Sequence, residues 1–134
     1  MTILAQTPSL VARVTGAYVT KNAGAAITAG NPVYEDPADL FLKPASAATS
    51  ITANARGIAL NSAVVGQPVS YQLSGTITIG DTVQPGKAYF ISSTTGGICL
   101  ETDLTTGDFP TFLGFATSTT VLSLNIIAGG IAKA

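Results

Sequence analysis

Short windows in which hydrophobic and polar positions alternate recur along the chain. Glycine, proline or aspartate separates them, and these residues end strands and form turns. The clearest windows are residues 69–73, 76–79, 88–91 and 121–126. This pattern is typical of strands in an antiparallel sheet, so it predicts an all-β fold.

Helical periodicity is weak throughout the sequence. The best helical candidate is the alanine-rich stretch 46–56, where Thr49, Ile51 and Thr52 weaken helix formation. Thr and Ile lose side-chain freedom against the preceding helical turn, which offsets the preference of alanine for a helix. We therefore expect at most one short helical turn in this stretch.

An internal repeat says more than any single window. Residues 27–34 align with residues 83–90, and residues 56–60 align with residues 113–117. The offset between Gly30 and Gly86 is 56 positions, and that between Gly57 and Gly114 is 57 positions. The alignment predicts two similar β units, at approximately 27–75 and 83–130. Each is too small to bury its own apolar face, so we expect an antiparallel β-sandwich or a distorted β-barrel.

The aligned glycines have two predicted roles. Gly30 and Gly86 fit a turn that requires a positive φ, which glycine adopts without steric cost. Gly57 and Gly114 each begin or interrupt a strand of apolar residues. We expect a close backbone approach or a β-bulge at these two positions.

The first 20 residues lie outside the repeat and are interrupted by Pro8 and Gly16. We expect residues 1–20 to form an extended N-terminal arm and residues 21–134 to form a single β domain. The apolar residues of this arm are candidate partner contacts: Ile3, Leu4, Leu10, Val11 and Val14. The alternative is that residues 11–19 form the first core strand.

The composition suggests a protein whose surface is covered by others. Charged residues make up 10% of the chain, against roughly 25% in an average domain. The apolar fraction is 46%, the net charge is −1 and the mean hydropathy is +0.44. Assembly with copies of itself or with a partner would cover the apolar surface that this balance implies. A neutral surface of serine and threonine is the alternative.

The distribution of charged and apolar residues argues against a nucleic-acid-binding, membrane or secreted protein. The six lysine and arginine residues are scattered singly, so no basic stripe indicates nucleic-acid binding. The sequence has no run of 18 or more apolar residues, so it predicts no membrane span, and the N-terminus lacks the pattern of a signal peptide. We expect synthesis in a reducing cytoplasm. Cys99 is the only cysteine, and its apolar neighbours predict a buried, inert thiol.

The sequence offers little catalytic chemistry. It contains no histidine and no nucleotide-binding or nucleophile-elbow motif. Its carboxylates gather in two places, at Glu35, Asp36 and Asp39 and at Asp103 and Asp108. We interpret them as turn residues, with a bound cation and acid–base catalysis as alternatives. We predict no catalytic residue, no cofactor and no metal ligand.

Lys87 follows the turn glycine Gly86, a position like that of the modified lysine in biotin- or lipoyl-carrier domains. The flanking residues of those carrier hairpins are absent here. Asn31 occupies the equivalent position in the first β unit. We therefore interpret Lys87 as an ordinary surface lysine.

A wider pattern of turns and strands resembles a known protein family. The segments that carry it are residues 29–34, 56–60, 66–69, 74–75, 79–81, 86–92, 107–108 and 113–116. Over roughly residues 20–128 the chain is similar to the small capsid decoration, or cement, proteins of tailed bacteriophages. The resemblance implies a virion protein, often a homotrimer, that docks on the capsid surface and stabilises contacts between major capsid subunits.

Two other classes remain open. A host- or carbohydrate-binding domain of a phage head fibre, spike or tail would share the β architecture. Such domains usually display aromatic clusters at loop tips, whereas this chain has no tryptophan and places most of its Tyr and Phe residues in predicted strands. An enzyme or carrier domain would depend on Lys87 and the scattered carboxylates.

Overall fold

The computed structural model describes residues 3–134 and confirms an all-β sandwich. Within that range, eleven strands form two antiparallel sheets that pack against each other, without closing into a barrel. Sheet A has the order β1 (Ala12–Arg13), β7 (Ser74–Thr78), β11 (Val121–Ala128), β10 (Thr111–Ala116), β8 (Ala88–Ile91), β9 (Ile98–Leu100). Sheet B has the order β2 (Tyr18–Asn22), β6 (Pro68–Gln72), β5 (Gly57–Ala59), β3 (Pro32–Glu35), β4 (Leu42–Pro44). Two short 3₁₀ turns cover Pro8–Leu10 and Glu101–Asp103.

The two sheets repeat one strand order. The order β2-β6-β5-β3-β4 in sheet B corresponds to β7-β11-β10-β8-β9 in sheet A. Strands β3 and β8 begin at Pro32 and Ala88, which are 56 residues apart (88 − 32). The repeated units nevertheless begin earlier than the sequence alignment placed them, at Tyr18 and Ser74. Sequences YVTKN and SGTIT share no alignable pattern, so only the pairing of β2 and β7 identifies them as equivalent.

The aligned glycines occupy special backbone positions. Gly30 and Gly86 adopt positive φ values of 94° and 83°. At Gly57, an added Cβ would lie 2.3 Å from the Gln72 carbonyl oxygen, so the backbones of β5 and β6 approach too closely for a side chain. At Gly114 the register of β10 shifts, and an added Cβ would lie 1.9 Å from the carbonyl oxygen of Ser123.

Alternation along the strands divides the core in two. Tyr34 and Ile58 pack in the main cluster, together with the buried residues of sheet A. Their chain neighbours Val33 and Ala59 pack in a second cluster. Because successive side chains of a strand point to opposite faces, this second cluster lies on the other side of sheet B. Sheet B is therefore buried on both faces over much of its area.

The alanine-rich stretch fills the main core without forming a helix. Its buried alanines are Ala45, Ala47, Ala53 and Ala55. A single turn closes where the Ala53 amide donates to the Thr49 carbonyl (3.0 Å). The small side chains let this loop pack closely on sheet A, where a bulkier segment would not fit.

A bent two-stranded ribbon joins the two sheets. In sheet A, Ala12 pairs with Thr78, and in sheet B, Tyr18 pairs with Gln72. The paired residue numbers sum to 90 in both cases (12 + 78, 18 + 72), so one antiparallel register continues from sheet to sheet. At the bend, Gly16 has a φ of 106°, and an added Cβ would lie 2.0 Å from the Ser74 carbonyl oxygen. Glycine is required because two backbones touch there.

Gln72 holds this bend together. Its side chain is fully buried, and Nε2 donates to the carbonyl oxygens of Thr15 (2.6 Å), Ser74 (2.7 Å) and Thr76 (3.0 Å). Its Oε1 has no hydrogen-bond partner among the described residues. The amide group therefore serves the bend as a donor. Its bonds add to the backbone bonds of the ribbon itself, in which the Thr15 carbonyl accepts the Thr76 amide and the Thr76 carbonyl accepts the amides of Val14 and Thr15.

The N-terminal segment is extended but not free. The Leu4 amide donates to the Ile98 carbonyl (2.9 Å) beside β9, and the Thr7 amide donates to the Gly80 carbonyl (2.8 Å). Strand β1 then pairs with β7 at the opposite edge of sheet A. Strand β2 begins at Tyr18, within the range assigned to the arm, and every residue of β1 and β2 is exposed. The segment is thus an edge of the domain rather than a core strand.

We expect Gln72→Met to lower the free energy of unfolding by about 2 kcal/mol, because the variant keeps the volume but loses the three part-buried hydrogen bonds of the Gln72 amide. Urea denaturation followed by circular dichroism measures the change. Gln84→Met is the matched control: Gln84 is exposed, and its replacement should change stability by less than about 0.5 kcal/mol. Equal midpoints for the two variants would show that the bend does not depend on Gln72.

Candidate protein-binding surface

The strands of sheet A carry almost no charge. Strands β7 to β11 have the sequences SGTIT, AYFI, ICL, TFLGFA and VLSLNIIA, without one charged residue. Arg13 in the short edge strand β1 is the single charge among the described strands of the sheet. Sheet B differs, since its strands include Lys21, Glu35 and Lys43. The charged residues of the strands, apart from Arg13, are therefore all on the sheet B side of the sandwich.

Four apolar side chains lie together on this outer face. Phe90 of β8 pairs with Phe112 of β10, which in turn pairs with Ile127 of β11. Phe115 lies three residues further along β10, where it pairs with Ala88 of β8 and Ser123 of β11. We call Phe90, Phe112, Phe115 and Ile127 the apolar row.

A β-bulge creates this grouping. Residues 112 and 115 are an odd number of positions apart, so in a regular strand their side chains would point to opposite faces. The register shift between Phe112 and Gly114 turns the strand once, so that both phenylalanines point outward while Leu113 enters the core. The backbone contact at Gly114 thereby determines the composition of the outer face.

The rings contact each other edge to face. The centroids of Phe90 and Phe112 are 5.7 Å apart at an interplanar angle of 64°, and those of Phe112 and Phe115 are 5.2 Å apart at 65°. Phe115 remains 53% exposed and Ile127 57% exposed. The rings fix one another in place. The resulting surface is apolar, ridged and rigid, with large side chains accessible to a partner.

The five candidate contacts of the N-terminal segment are not one surface. Val11 is buried in the main core, and Leu4 packs partly against it. Ile3 forms an isolated bridge with Cys99 at the edge of sheet A. Leu10 and Val14 are 60% and 54% exposed, so these two alone are open to a partner. Sequence reasoning could not separate these roles, because apolar residues of a core and of an interface look alike.

The carboxylates of the first cluster brace a hairpin. Lys43 Nζ donates to Asp36 Oδ2 (2.7 Å) and lies 3.1 Å from Asp39 Oδ2. The Lys43 hydrogen bond, followed by that of the Ala38 amide, lowers the pKa of Asp36. The Phe41 amide and then Lys43 lower the pKa of Asp39. Both carboxylates thus stay ionised and engaged in the β3–β4 turn, as the turn interpretation expects.

Other ionisable groups are also used locally. Glu35 of β3 accepts a hydrogen bond from Lys21 of β2. Asp108 Oδ2 accepts the Thr105 amide (2.9 Å), as turn carboxylates do. Lys87 is exposed, and its carbonyl accepts the Ala116 amide (3.0 Å) within the ladder leading into β8. Lys87 therefore lies at a strand start and not at a free hairpin tip.

Cys99 is buried at 1% exposure in β9. Burial, reinforced by the negative charges of Asp103 and Asp108, raises the pKa of its thiol to about 11. A thiol needs its ionised form to act as a nucleophile. The sulfur is therefore unreactive at neutral pH.

The remaining acidic residues of the described range are dispersed. Residues 3–134 contain no group of three or more Cys, Asp or Glu side chains arranged to hold a metal ion. A surface hollow of 440 Å³ beside Leu10 contains one carboxylate, Asp81, which accepts the amides of Ala5 (2.6 Å) and Thr82 (2.7 Å). Over the same range, no helix is long and apolar enough to cross a membrane.

Comparisons with known proteins add no relative. The chain matches no protein-family model, and a search of curated proteins finds no match either.

The apolar row was not predicted from the sequence, although the spacing of Phe112 and Phe115 around Gly114 was a usable signal. A bulge at that glycine, once assumed, places both rings on one face.

We expect native Cys99 to react with a disulfide reagent such as DTNB about a hundredfold more slowly at pH 8 than the unfolded chain does. The reason is the shift of its pKa from 9.0 to about 11. Because the folded pKa is the higher one, this thiol contributes stability below pH 9, which is lost as the pH rises from 9 towards 11. Fast native-state labelling at pH 8 would contradict the buried environment.

Proposed function

We propose that this chain is a non-enzymatic structural protein of a tailed-bacteriophage virion. It decorates the capsid surface and stabilises contacts between major capsid subunits. The chain is made in the host cytoplasm and acts on the virion as a homo-oligomer, with a trimer favoured by the family resemblance. It requires no cofactor, nucleic acid or membrane.

The observation that carries this proposal is the outer face of sheet A with its apolar row. The five neighbouring strands carry no charge, and the apolar row on them exposes large side chains that are well suited to burial against protein. Interface centres are depleted in charged residues and enriched in aromatic ones. The rigid rings also lose little side-chain entropy on binding.

Ring geometry favours a protein partner over a sugar. Sugar rings stack on aromatic faces that lie open and flat. Here adjacent rings are tilted by 64° and 65°, so their edges and faces form ridges. Ridges and hollows of this kind fit apolar side chains. The receptor- or glycan-binding alternative therefore receives less support from this surface than a protein interface does.

Each copy would bind weakly through this row. Burying the exposed half of a phenylalanine or isoleucine side chain contributes about 1 kcal/mol. Phe115 and Ile127 together thus contribute only a small part of a stable interface. Linking several copies in an oligomer makes later contacts intramolecular and raises the overall affinity greatly. A repetitive shell is the kind of partner that exploits such contacts.

The test is binding to undecorated tailed-phage capsids, after light scattering has established the oligomeric state. We expect Phe115→Lys to weaken co-sedimentation about a hundredfold, because docking would bury an unpaired charge at a cost of about 3 kcal/mol. Val65→Lys is the matched control, since Val65 is 68% exposed in the β5–β6 loop.

Wild-type protein should saturate the shell at a fixed number of copies, and the control should do the same. A stable monomer that ignores capsids would refute the proposed function. Capsid binding that Phe115→Lys leaves unchanged would instead remove the apolar row from the interface. Circular dichroism of both variants confirms that each retains the β fold.

A further inference from the structure

Strand β2 is an open edge of sheet B. It pairs with β6 on one side, and all five of its residues are exposed. The other sheet edges are short or covered. Ile3 and Leu4 lie beside β9, and the Gly24 amide donates to the Leu42 carbonyl (2.7 Å) beside β4. Strand β1 has two residues. Strand β2 is therefore the one long edge in the described range that offers a row of free backbone groups.

The hydrogen bonds between β2 and β6 identify which backbone groups of β2 are free. The Leu73 amide donates to the Ala17 carbonyl (2.9 Å), and the Ala23 amide donates to the Gln67 carbonyl (2.8 Å). Antiparallel pairs alternate between residues that exchange both bonds and residues that exchange neither. Odd-numbered residues of β2 therefore bond inward to β6. The N–H and C=O groups of Tyr18, Thr20 and Asn22 point outward.

The usual devices that protect an edge are missing or already engaged. Strand β2 has no proline, and its register with β6 is regular from Tyr18 to Asn22. Its single charge, Lys21, is paired with Glu35. Arg13 lies over the Tyr18 ring, 5.1 Å from its centroid. Glu35 thus offsets the charge of Lys21, and Arg13 is held against a ring of the same chain, which weakens the repulsion of an incoming strand.

We propose that β2 pairs antiparallel with β2 of a second copy, about a twofold axis through Thr20. In this register Thr20 faces Thr20 and exchanges both backbone bonds, while Tyr18 faces Asn22. Lys21 faces Val19, so no like charges lie directly opposite each other. The strand is complementary to itself. Pairing joins two five-stranded sheets into one continuous sheet of ten strands.

This contact is separate from the capsid contact proposed above. It uses the edge of sheet B, whereas the apolar row lies on the outer face of sheet A. A twofold contact cannot close a ring of three copies. If the chain forms a trimer through another surface, β2 pairing links one trimer to the next. The two proposals can therefore fail independently.

The first experiment is cross-linking of Thr20→Cys with a short bismaleimide. Paired Thr20 residues would have Cα atoms about 5.5 Å apart, within reach of the reagent. We expect a covalent dimer on a denaturing gel, whatever the oligomeric state in solution. Thr119→Cys is the matched control, because Thr119 is an exposed threonine in the β10–β11 turn. Native Cys99 is buried and does not contribute.

The second experiment is a charge swap at the axis. Thr20→Lys and Thr20→Glu each place like charges opposite each other, so each variant alone should lose at least tenfold in self-affinity by sedimentation. An equimolar mixture should recover the association, because opposite charges then face each other. Both variants lose the Thr20–Ser70 hydroxyl bond (2.8 Å), so that loss cancels in the comparison.

The pairing is overturned if Thr20→Cys gives no more dimer than Thr119→Cys. It is also overturned if the mixture fails to recover, since that result excludes a register with Thr20 opposite itself. Capsid binding by such variants would leave the proposed function intact. If Phe115→Lys abolishes capsid binding while Thr20→Cys still cross-links, the capsid contact and the β2 contact are separate surfaces.

Discussion

The sandwich depends on the bend that carries one antiparallel ribbon from sheet A into sheet B. Two glycines, Gly16 and Gly75, let the backbones touch there, and the buried amide of Gln72 supplies donors to three carbonyls. Hydrogen bonds of a buried side chain to the backbone each contribute about 1 kcal/mol. They reinforce the backbone bonds that the ribbon itself makes at Thr15 and Thr76. The position of one sheet over the other follows from this corner.

A second backbone contact decides what the surface presents. The bulge at Gly114 sends Leu113 into the core and leaves Phe112 and Phe115 on the outer face. Low charge in the whole chain becomes a defined surface only because the five strands of sheet A that carry no charge are neighbours. The ion pairs Lys21–Glu35, Lys43–Asp36 and Lys43–Asp39 all lie in sheet B and its β3–β4 turn. The same backbone geometry that stabilises the sheet therefore positions the candidate interface.

The duplication explains both how much of this molecule was predictable and where prediction stopped. Windows such as 88–91 and 121–126 predicted strands because alternation and turn residues are local properties. Gly30 and Gly86 predicted equivalent turns for the same reason. Window 76–79 predicted β7 itself, but the equivalence of β2 and β7 was not predicted, because nothing in YVTKN or SGTIT marks the two strands as related. Their equivalence lies in which strands they pair with.

By itself the sequence determined an all-β chain with a repeated unit, few charges and no histidine-based chemistry. These are consequences of composition and of short-range spacing. Only the tertiary structure decided that Val11 is buried while Leu10 and Val14 are exposed, and that three phenylalanines from two strands meet on one face. It also decided that β2 is an open edge. The physical reason is that burial, register and edge position depend on contacts between residues far apart in the chain, which no local pattern specifies.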